Sequence, residues 1–279
     1  MFNQHQLLVL FLKKIQQQDL VLPHLPEITE QILAQATLGF PQQALVDLLE
    51  QDACIGHRLI TIVNSGLFLV PQGTVSTLEQ AVAGAGESHC YNLVLAASIE
   101  HSFISTHERV WSIMDDIWQN AITLTAQAGA LMIDYQHRHQ TELSLSELML
   151  IGLLHNIGSL PILAEVEAAT NLFNDEPQLY EMMRKLQQPM SNAVLARISL
   201  PSAVVNGIQK WADISYMPDE VSYIDFIRAA AFYSGLLNAG EAKAERLYYY
   251  HQRGLAVSID DWQKQSFLDN YHAIRLCYQ

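Results

Sequence analysis

Apolar residues recur in this chain at helical spacing almost from end to end, and no stretch alternates apolar and polar residues for the length of a strand. Such a pattern can bury a core only as an all-α protein. Ile55, Leu59, Ile62 and Val63 stand at i, i+4, i+7 and i+8, one stripe that must face inward. Earlier, Pro26 can open a helix carrying Ile28, Ile32 and Leu33, and Pro41 another carrying Leu45, Leu48 and Leu49. Gly66 and Val70-Pro71-Gln72-Gly73 mark a loop. A helix through Leu78 and Val82 stops near Gly84 and Gly86, and another runs over about 90–103.

The second half has longer elements. Trp118, Ala121, Leu124, Thr125, Ala128, Leu131, Met132 and Tyr135 form one stripe over several turns. Ser144 with Glu147 has the capping-box spacing, and the helix it opens carries Leu148, Ile151 and His155 on one face. Gly158 and Pro161 supply its stop. Further helices are expected over 176–186, 190–198, 203–211, 221–237 and 241–252. Between 101 and 114 the stripe is interrupted by Ser105, Thr106, His107, Glu108 and Arg109, which makes that segment the expected domain boundary.

Charge narrows the function classes. Fifteen Lys and Arg against 29 Asp and Glu leave a net charge of −14, a field that repels nucleic-acid phosphates and anionic membranes. Cys54, Cys90 and Cys277 are far apart and form no Cys-x-x-Cys pair, so three reduced thiols and a cytoplasmic location are expected. Leu7 to Leu12 is too short for a leader, and no apolar run is read as approaching the roughly 20 residues that span a bilayer, so no membrane insertion is expected. His137-Arg138-His139 reads as a solvated helix end, and Glu165 and Glu167 fall on different helix faces. Tyr248-Tyr249-Tyr250 reads as packing. The stretch from Pro41 to Asn64 has helix-turn-helix length, but its second helix offers only His57, Arg58 and Asn64 for reading DNA, so a plain helical hairpin is expected.

Several of these runs resemble the HDOD family, bacterial signalling domains related to the HD phosphohydrolases. Leu22-Pro23-His24-Leu25-Pro26 is similar to the family's opening Leu-Pro-x-Leu-Pro. The run from Asp52 through Leu59-Ile60 to Asn64-Ser65-Gly66 resembles its most specific signature, which ends in Asn-Ser; the same two residues also suit a helix C-terminus. Val75 to Val82 followed by Gly86 resembles the next element, and Gly152-Leu153-Leu154-His155-Asn156-Ile157-Gly158 resembles the Gly-Leu-Leu-His-Asp-Ile-Gly of the HD-like half.

The resemblance implies two helical lobes: an N-terminal lobe over 1–110, packed on a degenerate HD-like lobe with C-terminal helices over 111–279. An active HD centre collects a first His, a His-Asp pair and a later Asp around divalent metal, which acidifies a bound water. In this chain Asn120 stands for the first His, Asn156 for the paired Asp, and Ala230-Ala231 for the closing Ala-Asp, with Asp225 the nearest upstream acid. Gln187 and Trp211 occupy places where relatives often carry further histidines. His155 is then the one remnant, and no catalytic residue, metal ligand set or cofactor is expected. Asn120, His155, Asn156, Gln187 and Trp211 read as a cleft for a ligand or partner. Pro23, Pro26, Asp52, Asn64, Ser65, Gly86, Gly152 and Gly158 read as structural. The implied function is a non-catalytic signal-transduction module acting on protein partners in trans or on a small ligand. Two alternatives stay open: a divalent-metal-dependent phosphohydrolase acting on a nucleotide or phosphate ester, and a nucleotide second-messenger sensor using the remnant cleft. The oligomeric state is left open.

Overall fold

The computed structural model describes residues 4–17, 19, 31, 41–67, 73–99, 105–168, 176–237, 240 and 243–278. Pro23, Pro26 and the helix expected around Ile28 to Leu33 lie outside the described residues. Every regular element among those described is helical. In chain order α1 (Gln4–Gln17), α2 (Gln42–Leu49), α3 (Ala53–Asn64), α4 (Leu78–Ala85) and α5 (Glu87–Ile99) precede the longest helix, α6 (Glu108–Arg138). There follow α7 (Leu145–Leu154), α8 (Ser159–Ala168), α9 (Glu176–Leu195), α10 (Ser202–Lys210), α11 (Tyr223–Ser234), α12 (Lys243–Gln252), α13 (Ile259–Trp262) and α14 (Gln265–Leu276).

The arrangement is organised around α7. Nine of its ten residues are buried, and Glu147 is half-buried. A helix apolar on every side cannot lie on a surface, and α5, α6, α10 and α11 surround it. Its N-terminus departs from a simple capping box. The Ser144 hydroxyl accepts from Glu147 N–H, but the Glu147 carboxylate does not return to Ser144. Instead Ser144 N–H donates to the Tyr223 hydroxyl at 2.8 Å, and that hydroxyl donates to Glu147 Oε2 at 2.5 Å. A tyrosine from α11 thus ties itself into the start of α7.

The 31 residues of α6 extend about 46 Å. Its stripe of Ala121, Leu124, Thr125, Ala128, Leu131 and Met132 is buried as the spacing predicts. α7, α8, α11 and α14 pack along it. Helices α2, α3 and α4 pack on one another, α3 and α4 also on α5, and α5 in turn on α7. α1 packs on α9 and is joined to α8 by the Lys14–Glu165 ion pair, 2.5 Å long.

The signature residues of α3 and α4 have local mechanical explanations. Asp52 is the N-cap of α3, accepting from Cys54 N–H and Ile55 N–H at 3.0 and 3.1 Å. Ser65 caps the other end, its hydroxyl donating to Ile62 O. Asn64 pairs both halves of its amide with the backbone of Val75, at 2.8 and 2.9 Å, clasping the ends of the intervening loop. Gly86 ends α4 at φ 84°, a left-handed backbone that lets α5 begin at the next residue.

Several expectations change. Of the segment expected as the boundary, residues 101–104 lie outside the described residues, and α6 starts at Glu108 and runs unbroken past residues 110 and 111. The helices expected over 176–186 and 190–198 are one helix, α9, with Pro189 inside it. Proline removes one intrahelical donor, while Leu186, Met190 and Val194 on either side stay buried in the core. Helices α13 and α14 were not anticipated. Finally, Leu145–Ala168 is long and apolar enough by composition to cross a bilayer, contrary to the reading of the sequence. The turn at 155–158 breaks it, and 83 % of its most apolar window is buried within the protein, which accounts for that composition.

Candidate functional site

His155 caps the C-terminal end of α7 and is fully buried, more deeply than a half-buried core residue. Its Nδ1 lies 2.6 Å from Gly152 O, which makes Nδ1 the protonated nitrogen. Nε2 has no hydrogen-bond partner. The Trp211 ring stands edge-on to the imidazole, centroids 4.9 Å apart at 84°.

The backbone carbonyl of His155 is as informative as its side chain. Trp211 Nε1–H donates to it at 3.1 Å from the end of α10, and the Gln187 amide donates to it at 3.0 Å from α9. One oxygen therefore joins three helices. The same Gln187 amide nitrogen also donates to Asn156 Oδ1. Asn156 is thus engaged by its neighbour through the one atom that could serve a metal.

Two glycines permit this closeness. At Gly158 an added Cβ would press on Gln187 O and stand 2.6 Å from Ser191 N, both backbone atoms of α9. Gly158 N–H donates to the Ser191 hydroxyl at the same crossing. At Gly152 a Cβ would meet Thr125 of α6, Oγ1 first.

Below α10 lies Arg228, only 1 % exposed. Its Nε donates to Trp211 O at 2.8 Å, Nη1 to Tyr216 O at 2.6 Å, and Nη2 to Lys210 O at 2.7 Å and to Asp213 O. The guanidinium satisfies carbonyls left open where α10 ends. Asp225, one turn earlier on α11, forms a capping box with Ser222 and lies 3.1 Å from Arg253. Burial pushes its carboxyl upward in pKa, and Ser222, Arg253 and Arg228 oppose the shift. Asp225 is therefore occupied in holding α11 and α12.

Of the five residues read as a cleft, His155, Asn156, Gln187 and Trp211 are joined by contact. Asn120 is not among them: it is exposed on α6 and makes no hydrogen bond to the other four. Ile117 and Leu124, one turn on either side of it, are buried, while Asp116 and Gln119 are exposed with it. Ala230 and Ala231 are fully buried. Sequence reading missed the groove next to this junction. Gln188 and Asn192 of α9 face Gln209 and Lys210 of α10, with Asp213 beyond, around about 370 Å³. The i, i+4 spacing of Gln188 and Asn192 was its only trace in the sequence. The cluster His137-Arg138-His139 lies at the exposed end of α6, where Arg138 pairs with Asp134 and His139 stacks on Tyr135.

The donor set does not fit a divalent metal of the HD type. Among the described residues no three His, Cys, Asp or Glu side chains are grouped to hold an ion. Around His155 stand an indole and two carboxamides bonded to each other, and a single imidazole does not retain a divalent ion against water.

Burial lowers the His155 pKa from 6.5 to about 4, opposed only by the Gly152 carbonyl. The folded protein therefore keeps this imidazole neutral while the unfolded chain takes up a proton below 6.5. Unfolded binds more protons than folded, so stability is intact above that pH and falls as pH drops toward 4. Between about pH 7 and about pH 4.5 this one group should cost the protein about 2 kcal/mol. Urea unfolding of wild type and His155→Leu at both pH values checks it. The variant should lose about that much less on acidification, and parallel losses would refute the assignment.

Comparison with known proteins follows the same lines. The profile of the HDOD domain family matches residues 22–212. None of the curated proteins matches the chain. Among solved structures, a protein of Shewanella amazonensis SB2B, named as a candidate metal-dependent phosphohydrolase, is 39 % identical, with 100 % of each chain covered and a TM-score of 0.91. An HDOD domain protein of unknown function from Geobacter sulfurreducens is 17 % identical, over 92 % of this chain and 94 % of its own, with a TM-score of 0.60. A candidate signal transduction protein from Marinobacter aquaeolei VT8 is also 17 % identical, over 91 % of this chain and 58 % of its own, with a TM-score of 0.54. The last two carry the fold alone. With the family profile spanning well over half of its length, and with the all-helical fold to match, the chain belongs to the HDOD domain family.

Proposed function

We propose that this protein is a non-catalytic signal-transduction module of the HDOD type, acting through protein partners in trans or a small ligand. The observation that carries the reading is the set of groups around His155. One imidazole remains where an HD centre needs several ligands, and Asn156 and Gln187 are turned toward each other. On this reading the HD-like site is degenerate. The helices before α6 form one lobe and those from α6 onward the other.

The second reading, a metal-dependent phosphohydrolase, is favoured by one observation: the name carried by the 39 % identical Shewanella protein. Metal analysis of protein purified without chelator separates the two. The proposal expects less than about a tenth of an equivalent of iron, manganese, nickel or zinc. Stoichiometric metal, with turnover of a phosphate ester that a chelator abolishes, would replace it with the phosphohydrolase.

A further inference from the structure

The proposed function leaves the groove between α9 and α10 unused. We propose that it binds a nucleoside monophosphate, recognised by its base, its ribose hydroxyls and its phosphate. The inference rests on the reading of the chain as a ligand-responsive, non-catalytic module and names the ligand class.

Size and polarity come first. About 370 Å³ is at the small-ligand end of binding cavities. Its lining of carboxamides and charges suits neither an acyl chain nor the apolar face of a helix.

The walls are fixed in advance. Gln187, beside Gln188, and Trp211, beside Lys210, both donate to His155 O, so a single carbonyl sets the spacing of the two helices. Arg228 holds the carbonyls of Lys210, Trp211 and Asp213 from beneath. A wall that does not have to be ordered on binding wastes little affinity.

The chemistry of the lining selects the class. Gln209 sets a donor beside an acceptor, and Gln188 and Asn192, whose amides meet at 3.4 Å, leave Gln188 Oε1 and the Asn192 N–H groups, the kinds of group that pair with the edge of a purine. Asp213 receives Ser215 N–H and the Ser215 hydroxyl on Oδ1, at 3.1 and 2.5 Å, which leaves Oδ2 to accept from vicinal ribose hydroxyls. Lys210 is the single cation of the lining, its Nζ 5.4 Å over the Tyr216 ring, and supplies the phosphate partner. With Lys210 facing Asp213 of the same lining and a net charge of −14 over the chain, the groove opposes a polyphosphate or a nucleic acid.

Isothermal titration of the full chain with AMP, GMP, ribose 5-phosphate and inorganic phosphate tests this. At least one nucleotide should bind with a Kd below about 1 mM, with ribose 5-phosphate at least about tenfold weaker. Lys210→Met and Gln188→Leu should each weaken nucleotide binding about tenfold without lowering the unfolding temperature. Lys185→Met, an exposed lysine of α9 paired with Glu181 outside the groove, should leave binding unchanged. No nucleotide binding at that concentration, or unweakened binding by Lys210→Met, overturns the groove as the site. Ribose 5-phosphate binding as well as both nucleotides overturns recognition of a base. Release of phosphate from the nucleotide would instead sink the non-catalytic reading and leave the groove standing.

Discussion

Gly158→Ala is expected to destabilise the protein by about 3 kcal/mol, the upper end of what one added methyl group does in a packed interior. The reason is the kind of atom it meets. Gln187 O and Ser191 N are helix backbone, and no side-chain rotation can move them. Relief requires α9 to shift away from the 155–158 turn. That shift would stretch the bond from Gln187 to His155 O and the bond from Gly158 N–H to Ser191. Gly207→Ala is the control. Its Cβ would meet only the Ile151 side chain, whose δ-methyl at 2.7 Å can rotate, so a loss of about 1 kcal/mol is expected. Urea midpoints at constant slope give the comparison. Equal losses for the two variants would mean that the crossing of α9 over the turn is looser than described.

Arg228→Met should cost about 3–5 kcal/mol. Methionine fills much of the same space, so packing is roughly kept while the bonds to the carbonyls of Lys210, Trp211, Asp213 and Tyr216 are lost together. Lys210 O and Asp213 O keep the N–H groups of Asp213 and Tyr216, so the desolvation cost falls on Trp211 O and Tyr216 O. Removing the guanidinium also takes one positive charge from beside buried Asp225, which keeps Arg253. Arg228→Lys restores charge but not the planar fork and should recover only part of the loss. Hydrogen exchange provides a local reading: amides in 210–216 should exchange faster in Arg228→Met even where the protein remains folded. Unchanged protection there would contradict the role assigned to Arg228.

Much of the fold was legible because burial leaves a periodic trace. Ile55, Leu59, Ile62 and Val63 are buried as their spacing requires, and so is the long stripe of α6. The trace fails in identifiable ways. Pro189 reads as a stop, yet the buried residues around it hold α9 together through the loss of one bond. In α14, Phe267, Ile274 and Cys277 are buried at helical spacing, but Asp269, Asn270 and His272 dilute the signal. Its contacts are distant in sequence as well: Ile274 fills the space over Gly129, and Tyr278 meets Trp118 edge-on at 6.4 Å.

By itself the sequence determined that the chain is helical and that it carries the HDOD signatures, with Asn120, Asn156 and Ala231 where the resemblance implies the ligands of an HD centre. These are properties of residue type and local spacing, and both are written in one dimension. Only the tertiary structure decided that His155 is sealed and neutral, that its carbonyl joins α9 and α10, that Asn120 stands apart on the surface, and that Asp225 serves an arginine and a helix cap. Hydrogen-bond partners and desolvation depend on which helices cross and how closely they approach. The small residues at each crossing set that distance, and their effect appears only once the helices have met.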